Sequence, residues 1–194
     1  VGVKLKDKVC LINAPMSNKK INELYTVSFL GNVVGGQIIK YANVDIDEMK
    51  KAAIKSIKNN EAVWFGCDVG KMFHRDLGVM DMDLYDYGSV LSTDFSMDKA
   101  TRLEYGDSLM THAMLFTGVD IDGNKSTKWR VENSWGTKGG NKGYYLMTDK
   151  WFDEYNYEVV VDKKYLSKKT LKLFEQKAIE LNPWDPMGAL AFTR

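Results

Sequence analysis

The sequence predicts an α+β fold, with an antiparallel, barrel-like sheet in its second half and helices appended to it. Three observations predict this. Ile46, Met49, Ala53 and Ile57 recur at helical spacing in the first half, a series of short apolar strands starts at His112, and Leu171, Phe174, Ala178 and Leu181 form a second amphipathic stretch near the end.

Taken in order, residues 1–20 carry polar turns around Asn13-Ala14-Pro15 and Ser17-Asn18, with one short apolar stretch at Val9–Ile12. Gly31, Gly35 and Gly36 break up Val27–Ile39, which reads as irregular or strand-like. Asp45 with Glu48 three residues later has the form of a capping box, and the helix it opens should end near Asn59-Asn60. Ala62–Cys67 follows as a buried strand. Residues 68–95 are dense in Asp, Gly, Met and Tyr without a sustained period and predict loops and short turns. Ser96 is expected to cap a short helix through Ala100 and Leu103.

From His112 the pattern becomes sheet. His112–Asp120 is strand-like, Asp122-Gly123-Asn124 is a strong turn, and Lys128–Glu132 returns as the partner strand. Tyr144–Met147 and Tyr157–Val161 are two further strands, separated by a helical turn near Trp151–Tyr155. Ser167 starts the last helix and Pro183 ends it. Residues 1–181 are expected to form the folded body, and 182–194, with Pro183 and Pro186, an extended tail.

Composition narrows the function classes. A chain of 194 residues suffices for one ordinary core or two small ones. Lys+Arg 27 against Asp+Glu 26 leaves a net charge of +1, so no bulk field argues for nucleic acid or an anionic membrane as partner. Cys10 and Cys67 are too few for a disulfide scaffold and point to a reducing compartment. The apolar runs are too short to span a bilayer, and no charged segment with an apolar continuation opens the chain as a secretory signal would. A start at Val1 rather than Met suggests a processed or truncated beginning. Lys163-Lys164 and Lys168-Lys169 read as a solvated face. His74 has no Cys or His partner at ligand spacing, so no metal and no cofactor are expected.

The chemistry centres on the predicted hairpin. His112 lies 11 residues before Gly123 (123 − 112) and Asn133 lies 10 after it (133 − 123), so folding about that turn brings the two together. An amide carbonyl beside an imidazole accepts its ring N–H and sets both tautomer and orientation. The other ring nitrogen is then free to take a proton from a thiol and return it to a leaving amine. Trp135 can cover that hydrogen bond and keep water from it. The residues by themselves also allow a structural histidine in an apolar strand and a plain turn with a packed indole at Asn133-Ser134-Trp135-Gly136.

Six segments resemble one family. Val63-Trp-Phe-Gly-Cys-Asp-Val-Gly70, Leu109-Met-Thr-His-Ala-Met114, Lys128-Trp-Arg-Val-Glu-Asn-Ser-Trp-Gly136, Gly143-Tyr-Tyr-Leu-Met-Thr-Asp149, Tyr157-Glu-Val-Val-Val-Asp162 and Trp184-Asp-Pro-Met-Gly-Ala-Leu-Ala191 are similar to the bleomycin hydrolase (aminopeptidase C) family of the papain superfamily. The resemblance runs over nearly the whole chain and is weakest before residue 20 and over 71–95. It implies a papain-like fold, of which this chain is the C-terminal part of a larger enzyme. It also implies a cysteine aminopeptidase in which His112 is base and acid, Asn133 its orienter and Trp135 the shield.

The family's nucleophile opens a helix, is followed by Trp, and has a Gln six residues before it. Neither Cys10-Leu11 nor Cys67-Asp68 has that form, and Gln37 has no Cys-Trp after it. The resemblance therefore assigns the Cys and Gln to an upstream half of the same enzyme and implies that this chain alone is inactive. It further implies peptide substrates, a cytoplasmic location, a homo-hexamer, and a tail in which Gly188, Ala189, Leu190 and Ala191 enter the cleft and restrict cleavage to N-terminal residues. This chain departs from the pattern by running on through Phe192, Thr193 and Arg194. A non-catalytic module that folds, assembles or binds is the reading from another class.

Overall fold

Short apolar runs punctuated by turn residues become strands, and in a computed structural model, which describes residues 4–31 and 33–188, these strands join one sheet. In chain order the elements are β1 (Lys8–Ile12), β2 (Glu23–Val27), β3 (Tyr41–Asn43), α1 (Ile46–Lys58) and β4 (Val63–Cys67). There follow β5 (Phe73–His74), β6 (Val79–Met80), α2 (Tyr87–Leu91), α3 (Lys99–Glu104), β7 (His112–Asp122) and β8 (Lys125–Glu132). The chain continues with β9 (Tyr144–Thr148), α4 (Asp149–Tyr155), β10 (Asn156–Asp162), α5 (Lys168–Leu173) and β11 (Ile179–Leu181). The order across the sheet is β11-β2-β3-β1-β10-β4-β7-β8-β9-β6-β5. The pairings are antiparallel except β1–β3, β2–β11 and β6–β9, so the sheet is mixed rather than wholly antiparallel.

The core lies on one face of the central strands. Alternation puts Val63, Phe65 and Cys67 of β4, Met114 and Phe116 of β7, and Trp129 and Val131 of β8 against α1 and α4. Phe116, Trp129 and Phe152 form a stack with ring centroids 4.8–5.3 Å apart. Lys50 of α1 bonds both Asp149 and Asp153 at 2.6 Å, and the other oxygen of Asp149 accepts from Ser126 Oγ and Trp129 Nε1. That carboxylate joins α1, α4 and β8.

Several expectations about helix ends are corrected. Asp45 does precede α1, but its side chain makes no cap bond, and Glu48 accepts from Thr170 Oγ1 at 2.8 Å. The predicted capping box is thus opened by a tertiary contact that ties α1 to the start of α5. The cap of α3 is Asp98, whose carboxylate accepts from the Thr101 amide, while Ser96 donates its own amide to Asp94. Ser167 caps α5 as expected, yet the helix stops at Leu173, and Ile179–Leu181 extends beside β2. The free backbone of that edge strand outweighs continued helical period. Among the described residues of 28–40 there is no strand, the strand lying earlier at β2, and 68–95 contains the paired short strands β5 and β6 and the helix α2. Beyond it, Pro186–Gly188 is one turn of 3-10 helix rather than extended chain, anchored where Asp185 meets Lys19 at 3.0 Å. The tail residues Ala189, Leu190 and Ala191 lie outside the described residues.

On the opposite face of β10 a buried carboxyl gives a pH-dependent stability. Burial pushes Glu158 up from 4.5 to about 7, an effect partly offset by its hydrogen bond with the Cys10 thiol. The folded chain therefore holds a proton that the unfolded chain loses. This stabilisation is complete below pH 4.5 and lost as pH rises to about 7. The thermal midpoint of the wild type, less that of Glu158→Gln, is expected to fall across that interval; parallel curves would refute the assignment.

Candidate active site

The hairpin β7–β8 turns at Gly123, whose φ of 58° is a conformation that only glycine adopts without strain. Asp122 pairs with Lys125 and Phe116 with Val131, but between them the register shifts twice, once between Phe116 and Gly118 and once between Asp120 and Ile121. The first shift leaves Thr117 unpaired on β7 and the second leaves Thr127 unpaired on β8. Each bulge alone would swap the faces of everything beyond it; together they cancel. His112, Met114 and Asn133 consequently share the core-side face at the end of the hairpin.

There His112 Nε2 and Asn133 Oδ1 are 2.9 Å apart. The orientation of the amide is set by the Ser134 backbone, whose N–H donates to the same Oδ1 at 2.8 Å. A backbone N–H can only donate, so the atom facing both groups is oxygen, and Nε2 carries the hydrogen. In the neutral ring the lone pair then resides on Nδ1. Asn133 is buried, and its backbone N–H donates to Gly143 O at 3.2 Å. The Asn133 Nδ2 group makes no hydrogen bond among the described residues. Trp135 packs against the imidazole with ring centroids 4.8 Å apart, and Arg75 lies over the indole at 5.1 Å. His112, Asn133 and Trp135 are thus brought together, whereas of the tail residues singled out with them Ala189, Leu190 and Ala191 lie outside the described residues.

The structure also puts Cys67 directly opposite His112, as its register partner in β4. Proximity invites a thiol–imidazole pair, but the sulfur is fully buried, and burial together with Asp68 pushes the thiol well above its ordinary value. Burial and Glu158 likewise raise the Cys10 thiol. Both thiols stay protonated at neutral pH, and Cys67 packs as a small apolar group beside the ring. Cys67 is therefore expected to resist a thiol alkylator in the folded chain, and rapid labelling at that position would contradict this reading.

Sequence reasoning passed over the support beneath His112. In the sequence Asp68 stands out only as the residue after Cys67, whereas its carboxylate accepts from Ser108, Leu109 and Thr111, the residues that lead into β7. Gly66 likewise stands out only as part of a strand. A side chain at Gly66 would run into the Met110 thioether, so glycine lets that connection cross close over β4. The usable signal was the pair of hydroxyl residues just before the histidine. Among the described residues no group of three or more His, Cys, Asp and Glu side chains is placed to hold a metal, and no helix is long and apolar enough to cross a membrane.

Known proteins match nearly the whole chain. The Peptidase C1-like family model matches residues 1–188. "Aminopeptidase C" of Lactococcus lactis subsp. cremoris is 53% identical over 192 residues, which cover 98% of this chain and 44% of the relative. "Bleomycin hydrolase" of Homo sapiens is 55% identical over 192 residues, covering 96% and 42%. The crystal structure of PepW from Lactobacillus rhamnosis HN001 superposes with a TM-score of 0.95 at 52% identity, covering 98% of this chain and 44% of that one. The chain spans less than half the length of the curated relatives it matches. Matched by that family model over residues 1–188 and by relatives more than 50% identical to it, the chain belongs to the Peptidase C1-like family.

Proposed function

We propose that the full-length protein is a cysteine aminopeptidase that removes N-terminal residues from peptides through a thioester acyl-enzyme, and that this chain supplies its base and orienter. The observation that carries the reading is the His112 Nε2–H···Oδ1 Asn133 bond, held by the Ser134 amide. It leaves Nδ1 to receive a thiol proton. The thiolate attacks the scissile carbonyl, and the imidazolium protonates the leaving amine. The imidazole then takes a proton from water, whose oxygen displaces sulfur from the thioester. Trp135 covers one side of the ring and limits competition from water.

The names of the relatives support the aminopeptidase assignment, and the state of Cys10 and Cys67 supports a nucleophile contributed from outside these residues. The proposal includes an upstream Gln as oxyanion donor, a cytoplasmic setting, a hexameric assembly and substrate restriction by residues 188–191. The test compares the 194-residue chain with the full-length protein on an aminoacyl fluorogenic substrate. Turnover by the full-length protein, abolished by a thiol alkylator, is expected. Alkylator-sensitive turnover by the short chain would overturn the assignment of the nucleophile.

A further inference from the structure

The connection that delivers His112 is held by one buried carboxylate. Asp68 directly follows β4, the strand whose last residue pairs with His112. Its backbone is fixed by a bond from its N–H to Tyr155 O at 3.1 Å. Its side chain, buried like that of Ser108, accepts from three donors within four consecutive residues. Ser108 Oγ donates to Oδ2 at 2.8 Å, the Leu109 amide reaches the same oxygen at 3.4 Å, and Thr111 Oγ1 donates to Oδ1 at 3.1 Å. With its proton given to Asp68, Ser108 Oγ accepts from the buried Tyr157 hydroxyl of β10. The Thr111 amide meanwhile bonds Cys67 O at 2.9 Å.

A fully satisfied buried carboxylate is a rigid anchor, because moving any donor leaves a charge unpaired in a medium of low dielectric. His112 directly follows Thr111, whose side chain and backbone amide are both bonded to the end of β4 and the residue after it. Asn133 sets the rotation of the ring from one side; something must set the position of its Cα from the other.

We propose that Asp68 is a positioning residue for His112, locating the imidazole through Ser108, Leu109 and Thr111 without touching substrate. The proposal rests on His112 being the catalytic base. The test uses the full-length protein with Asp68→Ala, Asp68→Asn and Thr111→Val, each measured per active site titrated with an alkylating inhibitor. Displacing a reacting group by about 1 Å costs on the order of 100-fold, so Asp68→Ala is expected to lower kcat per titrated site by about that factor with KM little changed. Asp68→Asn, which keeps one acceptor oxygen, is expected to recover part of the loss, and Thr111→Val to show a smaller one. The acidic limb of the pH–rate profile should move in the same order.

Unchanged kcat per titrated site, with an unchanged pH profile and only fewer active sites, would show that Asp68 merely stabilises the fold and would overturn the proposal. Where Asp68→Ala does not fold, the same outcome in Thr111→Val overturns it. Activity retained in His112→Ala sinks the base assignment itself. An inactive His112→Ala beside normal Asp68 and Thr111 variants sinks only this inference.

Discussion

Replacing His112 by alanine in the full-length protein is expected to lower kcat by on the order of 10⁴- to 10⁶-fold, the loss seen when a member of a nucleophile–base unit is deleted. The argument is one of proton accounting. With Nε2–H committed at 2.9 Å to Asn133 Oδ1, an oxygen that also accepts from the Ser134 N–H at 2.8 Å, Nδ1 is the ring position left to accept the thiol proton. Without it the thiolate fraction falls and the leaving amine has no acid. Asn133→Ala is expected to cost less, on the order of 100-fold, because the ring remains but its tautomer and angle are no longer set. Steady-state kinetics on both variants, with circular dichroism to verify folding, checks the order. Equal activity of wild type and His112→Ala would remove the catalytic reading altogether.

Trp129→Ala is expected to reduce stability by about 3–5 kcal/mol, as removing a large aromatic from a packed core does. The indole is 1% exposed and packs against both Phe116 and Phe152, at centroid distances of 5.0 and 4.8 Å. Its N–H donates to Asp149 at 2.9 Å, so truncation opens a cavity and also takes one donor from a carboxylate that already serves Lys50 and Ser126. Trp129→Phe keeps most of the ring and should lose about 1–2 kcal/mol. Urea unfolding followed by far-ultraviolet circular dichroism measures both. A loss below about 1 kcal/mol for the alanine variant would show that this stack does not hold β8 against the helices. Because β8 carries Asn133 at its end, the alanine variant should also lower activity.

The pairing of His112 with Asn133 was legible because a hairpin obeys counting. Gly123 marks a turn, and matched distances on either side meet. Counting could not reveal the bulges at Thr117 and Thr127, and face parity depends on there being two of them, one on each strand. The same limit explains the helix ends. Ser96 and Asp98 are both good caps by composition, and which one serves depends on where the chain enters from the loop. The period through Leu181 is helical on paper, but β2 offers an unpaired edge that residues 179–181 satisfy.

What the sequence by itself determined is which candidate residues the hairpin brings together and which elements hold them, since side-chain type, turn residues and hydrophobic period are local properties. Only the tertiary structure decided what those residues meet. It placed Cys67 beside His112 but sealed it from solvent, and it gathered Ser108, Leu109 and Thr111 onto Asp68, forty or so residues away in the chain. Contacts of that separation follow from sheet order and packing, where β10, β4 and β7 come together, and no local pattern of residues encodes them.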